Sequence, residues 1–96
     1  MPYVRLSIAR PRHGEERRLE ELMLRLNKLT ADQEGCLESH TLKPHDNSGE
    51  IARIAIYRDE AAAEHAANNA AIMALRSEMH LIVEPSHTER AFFSID

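Results

Sequence analysis

Tryptophan is absent from this chain, cysteine occurs once, and glycine occurs only three times. The lone Cys36 has no partner for an internal disulfide, which fits a reducing compartment. The scattered glycines supply neither a phosphate-cradling loop nor a dinucleotide fingerprint, and no G-x-S-x-G elbow is present. Nucleotide hydrolysis, Rossmann-type hydride transfer and acyl transfer from a nucleophile elbow are thereby removed. No segment approaches the roughly 20 consecutive apolar residues of a membrane span, and the N-terminus lacks the apolar core of a signal peptide. A soluble, cytoplasmic protein without a membrane partner is expected. Basic runs are missing as well: 12 Lys and Arg face 16 Asp and Glu, for a net charge of −4. That balance argues against nucleic acid as a partner.

The 96 residues fit one domain, 1–96, and 43% of them are apolar. With only two Phe and two Tyr, the core has little aromatic bulk, and it gains from burial against a partner subunit.

Hydrophobic periodicity divides the chain into alternating elements with no linker or repeat. Val4, Leu6 and Ile8 alternate with Tyr3, Arg5 and Ser7, the period of a strand, which Pro11 and Gly14 end. Leu19, Leu22, Met23, Leu26 and Leu29 recur at helical spacing from Glu15 to about Thr30. Gly35 precedes a second strand, Cys36 to Leu42, and the polar cluster from Pro44 to Gly49 reads as a hairpin loop. The third strand, Ile51 to Tyr57, is apolar on both faces, as in a sheet covered on both sides. Asp59 suits the N-cap of a second helix that runs to Ser77 or beyond before Pro85 stops it. A last strand covers about Thr88 to Ile95.

The order βαββαβ predicts an α+β, ferredoxin-like fold, an antiparallel sheet with both helices on one face. The other face then needs cover, and a second copy of the chain is its simplest source, so a homodimer is expected.

Gly35-Cys36-Leu37 opening the second strand, Ile54 to Ala61 closing the third and entering the helix, and His65 early in that helix resemble the antibiotic biosynthesis monooxygenase family. The resemblance spans nearly the whole chain and implies a dimeric α+β barrel. Across the family it implies cofactor-independent monooxygenases of phenolic or quinone-type compounds, haem-degrading enzymes, signal-molecule isomerases and members without an assigned reaction. Haem-degrading members carry an Asn in the first strand, a Trp in the second helix and an axial His. Here the first strand has no Asn, Trp is absent, and Leu75 occupies the region of that His.

The chemically capable side chains concentrate between Glu50 and His80. At about 100° per residue, His65, Asn69, Ile72 and Arg76 fall on one stripe of the second helix, with Ala62 at its edge. A neutral imidazole can accept a phenolic proton and an adjacent amide can hold the resulting oxyanion, so His65 is the candidate base and Asn69 an orienting group. Ala63, Ala66, Ala67, Ala70 and Ala74 form a competing stripe on the opposite side. If the alanines face the sheet, His65 points outward. Tyr57 matches an aromatic position of the family and serves either as a hydroxyl for a substrate oxygen or as a boundary aromatic with a wet tip. Asn68 joins Asn69 as an amide poorly suited to a helix interior, serving either polar contacts or solvent. Arg5, Ser7 and Arg53 either project into a pocket or pair with acidic neighbours.

No metal site is expected, because the six histidines show neither HExxH nor repeated i,i+4 pairing. No organic cofactor is expected either. The reading is a cofactor-independent monooxygenase of a small phenolic, anthrone-like or quinol compound, with a small apolar or aromatic metabolite and a second copy as partners. The alternative is a non-catalytic or stress-associated dimer of the same fold that binds such a metabolite.

Overall fold

The computed structural model describes all 96 residues. The elements follow in the order β1 (Tyr3–Ala9), α1 (Glu16–Ala31), β2 (Cys36–Leu42), β3 (Ile51–Tyr57), α2 (Glu60–Ala67), α3 (Ala70–His80) and β4 (Thr88–Phe93). The strands form one antiparallel sheet in the order β2-β3-β1-β4, so the fold is α+β with the ferredoxin-like arrangement.

Strand alternation assigns the two faces. Tyr3, Arg5, Ser7 and Ala9 of β1 lie opposite Tyr57, Ala55, Arg53 and Ile51 of β3, and these residues form the helix-covered side. Two apolar clusters hold that side together. Tyr3, Ala55 and Tyr57 pack on Ala62, Ala63 and Ala66 of α2, while Ala9 and Ile51 pack on Leu19 and Met23 of α1 and on Val83. Val4, Leu6, Ile8, Ile54 and Ile56 point the other way and are only partly buried. The sheet therefore has one covered and one open face.

One expectation needs correction. The helix after Asp59 does not run unbroken to Ser77, because Asn68 and Asn69 divide it. The Asp59 carboxylate accepts from the Ala62 amide at 2.9 Å, as its N-cap assignment requires. Asn69 then acts as a second N-cap: its Oδ1 accepts from the backbone N–H groups of Ala71 at 3.0 Å and Ile72 at 3.1 Å. The amide side chain that disfavours a helix interior here starts a new helix.

The break also settles which stripe is buried, and it splits the answer. In α2 the alanines win, with Ala62, Ala63 and Ala66 buried and His65 exposed. In α3 the phase is reset, so Ile72 is buried and Arg76 turns inward while Ala70 and Ala74 are exposed. The last strand ends at Phe93, short of Ile95.

Two of the three glycines with positive φ, Gly14 and Gly35, sit at turns of different tightness. A Cβ on Gly14 meets nothing within 4 Å, whereas one on Gly35 comes within 2.6 Å of Ala62 Cβ. Glycine at position 35 thus lets the turn before β2 lie against α2. No helix is long and apolar enough to cross a membrane.

Candidate functional site

Between the sheet and the helices lie two adjoining cavities that share Ser7, Arg53, Arg76 and Glu89. The first is a narrow cavity of about 40 Å³, lined on its apolar side by Met23, Leu26, Met79 and Val83, with His80 and His87 also in its lining. The second is wider, about 200 Å³, and is lined by Tyr3, Arg5, Arg90 and Ala91 beside the shared residues. An apolar chamber thus adjoins an arginine-rich vestibule, and the four shared residues form the polar neck between them.

The neck follows from strand pairing. Ser7 lies across from Arg53 on β3 and from Glu89 on β4, so three polar side chains of one face meet at a single level of the sheet. Arg76 comes down from α3 and donates to both Glu89 carboxylate oxygens, at 3.0 and 3.2 Å. That pair ties the helix to the edge strand and accounts for the one carboxylate of the neck.

Arg53 has no such partner. It is only 9% exposed, and its Nε and Nη1 are buried without a hydrogen bond. Arg5 Nε is in the same state, with its guanidinium 5.7 Å from the Tyr3 ring centroid. Neither arginine enters an ion pair. Burial lowers the Arg53 pKa from its ordinary value, the nearby Tyr57 hydroxyl opposes that shift, and the Arg76 charge adds to it. A buried cation without a counter-charge is costly, so this arrangement fits a region that receives an anion.

Tyr57 is 4% exposed and sits behind Arg53 instead of lining either cavity. Burial pushes its phenol up from the ordinary value, with the Arg53 charge pulling the other way. Cys36 packs against this cluster, and burial raises its thiol too, the opposite of nucleophile activation.

Of the side chains singled out in the sequence, Arg5, Ser7 and Arg76 are brought together at the cavities, and Arg53 joins them. His65, Asn68, Asn69 and Ile72 are not. His65 and Asn68 are exposed, Asn69 is the α3 cap, and Ile72 is buried outside the lining. The assignment of His65 as base is therefore corrected on geometric grounds: the alanines take the covered side of α2 and leave the imidazole outside.

Sequence reasoning missed His87 and Glu89. His87 Nδ1 is buried without a partner, and the ring stacks edge-on to His80 with centroids 5.2 Å apart. Both residues reach the cavity only because β4 returns to pair with β1, a long-range event with no local signature. No group of three or more His, Cys, Asp or Glu side chains gathers as a metal would require.

The profile described as antibiotic biosynthesis monooxygenase matches residues 2–77. Among solved structures, SnoaB, a cofactor-independent oxygenase from Streptomyces nogalater, superposes in its N63A form with a TM-score of 0.85 at 16% identity, covering 99% of this chain and 94% of that one. Rv0793 from Mycobacterium tuberculosis gives 0.92 at 16% identity, covering 100% and 97%. PA3566 from Pseudomonas aeruginosa gives 0.87 at 17% identity, covering 99% and 95%. No curated protein matches the chain by sequence.

Proposed function

This chain belongs to the antibiotic biosynthesis monooxygenase family, and from that premise we propose that it oxidises a small phenolic, anthrone-like or quinol compound with dioxygen and without a cofactor. The observation that carries the proposal is Arg53, a buried guanidinium without a counter-charge at the edge of an apolar chamber. Such a group stabilises negative charge that develops on a bound ring. SnoaB, a structural neighbour, is a cofactor-independent oxygenase, which supports the same reaction class.

In this reading an aromatic ring lies against Met23, Leu26 and Met79, and His87 takes a proton from its phenolic O–H or activated C–H. Arg53 and Arg76 hold the resulting oxyanion, while Tyr57 positions Arg53 from behind. The delocalised anion reduces dioxygen and forms a carbon–oxygen bond, and the resulting peroxide takes the proton back from His87 to give a hydroperoxide. Loss of water then leaves a carbonyl. One oxygen atom stays on carbon, the other leaves as water, and the substrate supplies every electron. His65 has no part in these steps.

A second copy of the chain is proposed to cover the open sheet face carrying Leu6, Ile54 and Ile56. Sedimentation is expected to show a dimer that Ile54→Arg dissociates, and a monomeric parent protein would remove this element of the proposal.

The catalytic proposal is tested by oxygen uptake with a panel of hydroquinones and anthrones. Uptake above background is expected, reduced on the order of 10²-fold by His87→Asn or Arg53→Met and unchanged by His65→Ala. Saturable binding without uptake for any compound would instead favour the non-catalytic binding protein.

A further inference from the structure

In the proposed reaction an aromatic ring lies against Met23, Leu26 and Met79, yet the chamber they line is too small for one. An apolar cavity that takes benzene holds about 150 Å³, whereas this one holds about 40 Å³. One of its walls must therefore move, and the walls are not held alike. Met23 and Leu26 belong to the face of α1 that buries five side chains, and Ala9 and Val83 are buried in the core as well. Arg76, Met79 and His80 belong instead to α3.

α3 is a strap jointed at both ends. Of its eleven residues only Ile72 is buried. Ahead of it, no backbone hydrogen bond runs from its amides to the carbonyls of α2, because Asn69 Oδ1 takes the Ala71 and Ile72 N–H groups instead. Behind it, past Leu81, the chain is fixed again: Arg12 N–H donates to the Ile82 carbonyl and Glu84 N–H to the Arg10 carbonyl, both at 2.8 Å. Between these joints two ion pairs hold the helix down, Arg76 to Glu89 of β4 and Glu78 to Arg18 of α1, each at 3.0 Å. All four side chains are partly open to water, so these ties are weak and salt loosens them.

We infer that α3 is the lid of this site: it tilts outward between Asn68-Asn69 and Leu81, releases Arg76 from Glu89, and so widens the chamber until a ring can enter. The inference rests on the proposed reaction only for the ring that must be admitted. α2 stays in place, since Ala62, Ala63 and Ala66 are buried against the sheet. The Asn69 cap belongs to the moving part, and its two bonds keep the start of α3 helical as the strap swings.

Thiol labelling tests the lid without ligand or turnover. In a Cys36→Ser background, Leu26→Cys places a thiol on the chamber wall, and Ala66→Cys places one beneath α2, beyond the joint; both positions are buried. With neutral N-ethylmaleimide, position 26 is expected to react at least about tenfold faster than position 66, because the first needs only the lid to open and the second needs global unfolding. Adding Glu89→Gln is expected to speed position 26 a further twofold to fivefold or about that, and raised salt should act in the same direction. Urea should accelerate position 66 more steeply than position 26, since lid opening exposes less surface. Met23→Cys supplies a second thiol on the same wall if Leu26→Cys fails to fold, and thermal melting checks every variant. Equal rates at the two positions would overturn the inference. So would a fast rate at position 26 that ignores both Glu89→Gln and salt, the mark of side-chain movement alone. A protein whose chamber opens in this way but which consumes no oxygen keeps the lid and loses only the oxygenase reading. An active oxygenase in which position 26 is as slow as position 66 does the reverse.

Discussion

Arg53 and Tyr57, four positions apart on the covered face of β3, each offset part of the other's burial shift. Burial disfavours the charged form of each, and each charge favours the other. Tyr57 is thereby held above its ordinary value of 10.0, though less far than burial alone would hold it.

The sign of the consequence is fixed. A phenol whose pKa is raised in the folded state contributes stability that is complete below the unfolded value of 10.0 and is lost as pH rises through the folded one. The parent protein should therefore lose stability relative to Tyr57→Phe as pH rises above 10.0, measured by denaturant unfolding at each pH. In Arg53→Met the tyrosinate absorbance titration should move further up, because the charge that opposed the shift is gone. A downward movement would contradict the placement of these two groups.

Removing the Arg53 charge should also stabilise the unliganded protein. Replacing a buried charge that lacks a partner with an apolar chain of similar volume is expected to raise stability by roughly 1–4 kcal/mol. Chemical denaturation of Arg53→Met measures this directly. A gain in stability alongside a loss of binding or uptake marks a residue kept for function at the expense of the fold.

The two neighbouring asparagines should behave differently. Asn69→Ala removes the acceptor of two backbone N–H groups at the start of α3 and should cost about 1 kcal/mol. Asn68→Ala leaves an exposed position without a cap bond and should stay within about 0.5 kcal/mol of the parent. Thermal melting of the pair distinguishes a capping amide from a solvent-facing one.

Gly14 and Gly35 form a controlled comparison, since their φ angles are 86° and 85°. Alanine at either position meets the same backbone strain, on the order of 1 kcal/mol. Only Gly35→Ala adds a collision with Ala62. Its melting temperature should fall well below that of Gly14→Ala, and Ala62→Gly in the same chain should recover part of the difference.

The sequence placed β2 and β3 to the residue and the other elements to within a few positions, because alternation and helical spacing are local signals. It failed at Asn68-Asn69, where a cap and a poorly tolerated interior residue look alike until the chain is folded. That failure carried the site with it. An unbroken helix forces a choice between the alanine stripe and the His65 stripe, whereas the real break gives α2 to the alanines and α3 to Ile72 and Arg76. Arg53 was visible, but an arginine in an apolar strand gives no hint that it lacks an acidic partner. His87 and Glu89 were illegible because β4 reaches β1 across almost the full length of the chain.

The pleat of β1 has a consequence for how this protein can change over time. Arg5 and Ser7 serve the cavity, while Val4, Leu6 and Ile8 between them serve the outer face. Two kinds of selection thus act on one short strand through interleaved positions. Specificity can drift by single substitutions at the cavity positions without disturbing the outer surface. A one-residue insertion or deletion would exchange the two sets together and damage both roles at once. Point substitution is the open route to new ligands in this strand, and length change the closed one.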